Sequence, residues 1–358
     1  MRIMFADRLK LARKRAGLSM PALAGCLGVG SSAKIIKDYE QGRVLPPTSV
    51  LSRLSDALGV SMGFLLGWRA LRCKDIEWRK QSGVSVKDIA RAELLAIERV
   101  EKYLEIESIL DLPSINNPFA DLRVDSLSDE REIEGIASNL REKWKLGIDP
   151  IPSMTALLEE KGLVVIQGEL PKGIGGLTCQ VECDGREPIE VIVVSQDGNI
   201  ERRRFSLAHE LAHRIIADTA GKSRRHESLM NRFAAAFLIQ KEHLMVSVGK
   251  DRSGMTSSEL FRLKKLYGVS AAAMSMRLGQ VGILPQEVVT RDFKTFARDW
   301  RKEEPDPILH LEGFAAFERP QRFERLVWQA LGERLILPLR AARLLDIPLK
   351  EVEAALEG

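Results

Sequence analysis

Residues 203–216 read Arg203-Arg204-Phe205-Ser206-Leu207-Ala208-His209-Glu210-Leu211-Ala212-His213-Arg214-Ile215-Ile216. The chemistry is concentrated in His209-Glu210-x-x-His213. Histidines at i and i+4 lie about 40° apart around a helix axis, so both rings leave one face. That is the geometry for two nitrogen ligands on one tetrahedral Zn²⁺. Glu210, next to the first ring, is the candidate general base for a water held there. The flanking Phe205, Leu207, Ala208, Leu211, Ala212, Ile215 and Ile216 are apolar, which suits a buried helix.

A catalytic zinc needs a third protein ligand and an open fourth position. Glu227 stands fourteen residues after His213 and four before Asn231. On a second helix, that spacing sets a carboxylate at the metal and, one turn later, an amide that can orient a ligand histidine. The run Phe233-Ala234-Ala235-Ala236-Phe237-Leu238-Ile239 would bury this helix against the first. His226 competes with Glu227 as the third ligand. His243 is a candidate oxyanion donor, a packed or surface histidine being the plainer reading. Cys179 and Cys183 precede the strand that feeds the first helix. A Cys179 thiolate is a candidate regulatory cap on the zinc, against the plainer reading of a buried inert thiol.

These residues resemble the ImmA/IrrE family of zinc metallopeptidases. The likeness rests on Arg203 to His213 and on Glu227-Ser228-Leu229-Met230-Asn231-Arg232-Phe233-Ala234-Ala235. It extends to the helix Met154–Gly162, the strand Leu163–Ile166 and Gly173-Ile174-Gly175-Gly176-Leu177, covering about residues 130–290. The resemblance implies that His209, His213 and Glu227 hold Zn²⁺, that Glu210 is the catalytic base, and that the substrate is a repressor protein. Cleavage would then relieve repression of mobile-element or stress genes. The family's apolar-Met-Pro after the second helix is replaced here by Leu238-Ile239-Gln240-Lys241, a departure at the substrate-side edge.

The chain has 358 residues, 45% apolar and 29% charged, which is enough for two or three domains with real cores and unlike a disordered tail. No run approaches the ~18–20 apolar residues of a membrane span. Met1-Arg2-Ile3-Met4-Phe5-Ala6-Asp7-Arg8 lacks the apolar run of a secretory signal. Cys26, Cys73, Cys179 and Cys183 form no C-x-x-C pair, the pattern of reduced cytosolic thiols. A bacterial, cytoplasmic, nucleoid-associated protein is expected, with no membrane partner.

Charge is uneven. Residues 1–67 hold ten Lys/Arg and four Asp/Glu, a net of +6 within a chain total of +4. A basic head on a near-neutral body points to nucleic acid. Five short helices are legible there, punctuated by Gly17, Ser19-x-Pro21, Gly28-Val29-Gly30, Gln41-Gly42, Pro46-Pro47 and Gly59. This bundle resembles the Xre-type, phage-repressor-like helix-turn-helix domain through Arg8-Leu9, Ala12-Arg13, Leu23-Ala24, Tyr39-Glu40-Gln41-Gly42 and Leu54 to Ser61. The turn before its recognition helix is about two residues longer than in that family. Counted from Glu40, the groove-facing positions are Ala33, Lys34, Lys37 and Asp38, with Ser31, Ser32 and Arg43 as backbone anchors. Either lysine suits phosphate or a guanine edge. The resemblance implies a homodimer on a palindromic double-stranded operator.

The expected fold is mainly α, with a small α+β zincin-like peptidase domain, a five-helix N-terminal bundle and a helical C-terminal region. The expected divisions are 1–68 (helix-turn-helix domain), 69–128 (helical connector and linker), 129–250 (peptidase), 251–300 (helix-turn-helix-like appendage) and 301–358 (small helical bundle). Two functions fit. One is a regulator that cleaves a repressor, in trans or in itself, with a linker cut between about Pro113 and Leu127 separating head from body. The other is a non-proteolytic transcription factor or antitoxin that keeps the peptidase-like fold as a sensor or scaffold.

Overall fold

In the computed structural model the described residues are all except 1, 29–31, 61, 68–70, 81–83, 114–117, 120–121, 125–131, 184–186, 198, 218–223, 296, 301–302, 309–317 and 358. The fold is mainly helical with one small sheet. It opens with α1 (Arg2–Ala16), α2 (Met20–Leu27), α3 (Ala33–Glu40), α4 (Thr48–Leu58) and α5 (Met62–Leu66). Phe5, Leu9 and Ala12 of α1 are buried, as are Leu23 and Leu27, Ile36 and Tyr39, and Leu54 and Leu58. These are the i, i+3 and i+4 positions that give each short helix one apolar face. Ser19 Oγ accepts from Ala22 N (3.2 Å) and Ser32 Oγ from Ile35 N (3.4 Å), capping α2 and α3. Gly59, at φ 60°, closes α4 in the left-handed conformation that glycine enters without strain. Arg13 grips Glu40 with two hydrogen bonds of 2.5 and 2.9 Å, tying α1 to α3.

The helical connector and linker expected over 69–128 does not begin as a helix. Leu71–Lys80 is a strand, β1, and α6 (Val86–Ile109) follows it. A bulge hides the strand in the sequence. The register shifts between Lys74 and Glu77, and Asp75 sits at φ 47°. The extra residue puts Ile76 out of step with Leu71 and Cys73, breaking the period of two. The other strands are β2 (Val164–Gly168), β3 (Ile174–Cys183) and β4 (Ile189–Ser195); the sheet order is β1-β3-β4-β2, with β1 antiparallel to β3. β3 is an addition to the two strands expected. Its Gly175, Gly176, Thr178, Gln180 and Glu182 dilute the apolar signal. Val191 to Val194 of β4 are all buried, as in a strand covered on both faces.

The chain forms two compact units: residues 1–117, 168–193 and 321–358 make the first, and 118–167 with 194–320 the second. In the first, Arg8 is buried, donating to Phe64 O (2.7 Å) and to both Glu101 carboxylate oxygens (2.8 Å each), which fastens the N-terminal bundle to α6. Three helices from residues 322–332, 338–345 and 349–357 belong to this unit too. Arg340 meets Glu105 (2.9 Å), Arg322 meets Glu107 (3.3 Å), and Asp346 pairs with Arg99 (3.0 Å) and Lys102, so the C-terminal helices line an ionic seam along α6.

The second unit holds α7 (Glu132–Lys143), α8 (Met154–Glu160), α9 (Ile200–Ile215), α10 (Arg224–Leu238), α11 (Lys241–Val248), α12 (Ser257–Tyr267), α13 (Ala271–Gln280), α14 (Gln286–Thr295) and α15 (Ala297–Trp300). Buried arginines close its helix ends. Arg141 donates to Phe237 O (2.8 Å) and Gly147 O (2.9 Å), and Arg277 donates to Ile239 O (3.0 Å), satisfying carbonyls at the end of α10. Burial lowers the Arg141 pKa to about 10. No described helix is long and apolar enough to cross a membrane.

Candidate metal centre

α9 and α10 pack against each other and between them carry the predicted ligands. Asn199 starts α9, its Oδ1 accepting from Arg202 N at 2.9 Å. From there the 3.6-residue repeat brings His209 and His213 onto one face, with Nε2 atoms 3.1 Å apart. From α10, Glu227 places Oε2 3.3 Å from His209 Nε2 and Oε1 3.9 Å from His213 Nε2. Among the described residues this is the one group of three potential metal ligands whose atoms lie within 4.8 Å of one another.

The donor set fits a zinc ion. Two ligands on bonds of ~2.0–2.1 Å at a tetrahedral angle lie about 3.3 Å apart, and the three observed separations straddle that value. Two imidazole nitrogens and one carboxylate make a mixed set that zinc accepts. His209 is oriented from behind, its Nδ1–H donating to Asn231 Oδ1 at 3.0 Å, which aims Nε2 at the other two ligands. The Glu227 carboxyl is held below its ordinary range, chiefly by its hydrogen bond with His209. Glu210, beside His209 on α9, has no exposed surface. Three donors converge on one point, an arrangement able to hold a metal, and the residue that follows the first of them in the chain is a buried carboxylate.

Other predicted residues are not members of the ligand group. His226 is buried beside the ligand group, its ring centre 5.4 Å from that of His213, and is not a member of it. The His243 ring bonds Tyr267 Oη through Nδ1 (2.7 Å), lies 3.8 Å from Asp149 through Nε2, and is not a member of the ligand group. No cysteine is in that group. Cys179 lies buried on β3 and hydrogen-bonds Cys73 of β1, a contact that, with burial, pushes the Cys73 thiol well above its ordinary value. The register explains this, because Cys73 faces Val181, two residues from Cys179 on the same side of the strand. Gln240, where the family pattern has its apolar-Met-Pro, donates from Nε2 to Ala236 O (2.7 Å) and caps the end of α10.

On α3, Ile36 and Tyr39 face the core while Lys34 and Lys37 are exposed. Ser32 is the N-cap, Ala33 opens the helix, and Ser31 lies outside the described residues. Asp38 is held by Arg43 at 3.0 Å, so part of its acceptor capacity is already engaged.

A basic helix-turn-helix bundle and a separate pair of helices bearing two histidines and a glutamate define the class: a DNA-binding type of head joined to a metallopeptidase-like domain. Comparison with protein families agrees. Residues 4–63 match a helix-turn-helix domain, and residues 159–279 match the IrrE N-terminal-like domain. The chain is thus a fusion of an N-terminal helix-turn-helix domain with an IrrE-like, metallopeptidase-like domain. Comparison with curated proteins finds no match.

Proposed function

We propose that this chain is a transcriptional regulator whose IrrE-like domain is a zinc-dependent endopeptidase. Its substrate is a repressor protein, either another chain or this one, and cleavage relieves repression of stress or mobile-element genes. The observation that carries the reading is the convergence of His209, His213 and Glu227, with a buried Glu210 next to His209 in the chain.

Zn²⁺, when bound, supplies Lewis acidity to a water and to the scissile carbonyl. The remaining work belongs to the chain. His209, His213 and Glu227 would hold the ion. Asn231 fixes the tautomer and orientation of His209. Glu210 takes the proton from the attacking water and returns it to the departing amine. Asn231→Ala is expected to lower zinc affinity roughly 10–100-fold, measured by competition with a metal-binding dye. Unchanged affinity would remove Asn231 from this role.

The head binds operator DNA as a homodimer, with half-sites about one helical turn apart. Lys34 and Lys37 lie on the exposed face of α3. Replacing both with Ala is expected to weaken operator binding and to reduce the slope of log K against log salt by about 2, if each meets one phosphate. A change confined to one operator sequence would instead mark base contacts.

The decisive experiment pairs metal analysis of the full chain with intact mass of wild type and Glu210→Gln, incubated with and without DNA. One zinc per chain and fragments from wild type alone would establish self-cleavage, and zinc without fragments would direct the search to a separate repressor. Absence of bound metal after zinc is supplied would overturn the peptidase and leave a sensor or scaffold. A cut between Pro113 and Leu127 would not free the head at once. β1 would still pair with β3, and Glu105 and Glu107 with Arg340 and Arg322, across the break. The two pieces should run together on a native gel and apart in denaturant.

A further inference from the structure

Glu210 and His226 stand in the same relation to the two metal-holding helices. Each is the immediate neighbour of a ligand, Glu210 after His209 and His226 before Glu227. Neighbouring helix positions are about 100° apart. The neighbour of a ligand therefore falls outside the ligand set yet stays beside it. His226 is accordingly absent from the group of His209, His213 and Glu227. It remains close, with its ring centre 5.4 Å from that of His213 and the rings tilted by 41°. It is also only 7% exposed, in the first turn of α10. A helix residue there would ordinarily face water, whereas this imidazole lies against a ligand ring.

We propose that His226 is a hydrogen-bond donor to substrate in this centre, directed at the carbonyl oxygen that gains negative charge when the peptide bond is attacked. The inference rests on the metallopeptidase reading above. An attacked carbonyl becomes an oxyanion, and a donor already in place stabilises it without reorganisation. A neutral imidazole carries one N–H, which is all the role requires. The proton is shared with the oxyanion and not transferred, and Glu210 keeps the acid–base work. His209 and His213 come from α9 and His226 from α10, and the 5.4 Å ring separation from His213 sets the imidazole at the margin of the ligand group.

The test uses the full chain loaded with Co²⁺ in place of zinc and titrated with acetohydroxamate, an anionic oxygen ligand for the open side. The visible Co²⁺ absorption bands report both the resting coordination and the binding. His226→Phe keeps the bulk of the ring without a donor. It is expected to retain one Co²⁺ per chain and the wild-type resting spectrum, and to bind acetohydroxamate roughly 10–100-fold more weakly. His226→Gln restores an N–H and should recover most of that affinity. Equal acetohydroxamate affinity in wild type and His226→Phe would overturn the proposal and make His226 a packing residue. Loss of Co²⁺, or an altered resting spectrum in both variants, would overturn it differently, making His226 a ligand. A wild-type chain that takes up neither Co²⁺ nor Zn²⁺ would overturn the metallopeptidase reading itself, an outcome recognisable before any variant is compared.

Discussion

Glu210→Gln is expected to bind zinc as wild type does, to keep operator affinity, and to lose peptide hydrolysis by about 10²–10⁴-fold. The reasoning is steric and electronic together. Gln has the shape of Glu, so α9 and the ligand spacing of His209, His213 and Glu227 have no cause to move. What disappears is the carboxylate proposed to accept a proton from an attacking water, and a positioned general base contributes about that factor. Glu210 is fully buried, so a replacement of the same shape is needed to leave the packing of α9 intact, and Gln supplies it. A sensor or scaffold has no use for this carboxylate. If cleavage of the physiological substrate by Glu210→Gln matched wild type, Glu210 would not be the base and the reading of α9 would have to be rebuilt.

Lys264→Ala should cause a large loss of stability, about 3–5 kcal/mol, the range for removing one member of a buried ion pair. Lys264 is fully buried and donates from Nζ to Glu201 Oε1 (2.9 Å) and Glu304 Oε1 (2.8 Å). The same two oxygens accept from Ile308 N (3.0 Å) and Ala271 N (2.8 Å). The cluster therefore joins the first turn of α9, α12, the start of α13 and residues 304–308. Burial holds the Glu304 carboxyl above its ordinary range, against the pull of Lys264. Removing the lysine leaves two carboxylates with less compensation in a dry place. At roughly 2–4 °C per kcal/mol for a body of this size, thermal unfolding should move down by about 10 °C. Combining Lys264→Met with Glu201→Gln and Glu304→Gln should recover much of the loss, because neutral groups carry a smaller burial cost. A Lys264→Ala shift below 2 °C would show that the cluster contributes little.

The consequence reaches the metal centre. Glu201 lies two turns before His209 on the same helix, so loosening the start of α9 should lower zinc retention on warming. None of this was legible beforehand. Lys264, Glu201 and Glu304 are separated by 63 and 40 residues, and in sequence each resembles an ordinary solvated charge on an amphipathic helix. The same holds for Arg8, Arg141, Arg204 and Arg277, which are buried and serve distant carbonyls and carboxylates. The cysteines show the limit from the other side. Proximity to the ligand motif along the chain suggested Cys179 for the zinc, whereas the antiparallel register set it beside Cys73, from a strand that a bulge had concealed.

What the sequence by itself determined is what short-range periodicity encodes. The i, i+4 histidines, the adjacent Glu210, the Glu227/Asn231 spacing, the cap at Ser19 and the stop at Gly59 are set by the pitch of one helix and the hydrogen-bonding needs of its ends. So is the five-helix head, whose apolar stripes and glycine stops lie within a few residues of one another. Only the tertiary structure decided which distant partners meet: β1 with β3, the C-terminal helices with α6, Lys264 with its two carboxylates, and the ring of His226 with that of His213. Those pairings depend on closing long loops and excluding water between specific surfaces. A buried charge and an exposed one are written with the same letter, and the folded surroundings alone tell them apart.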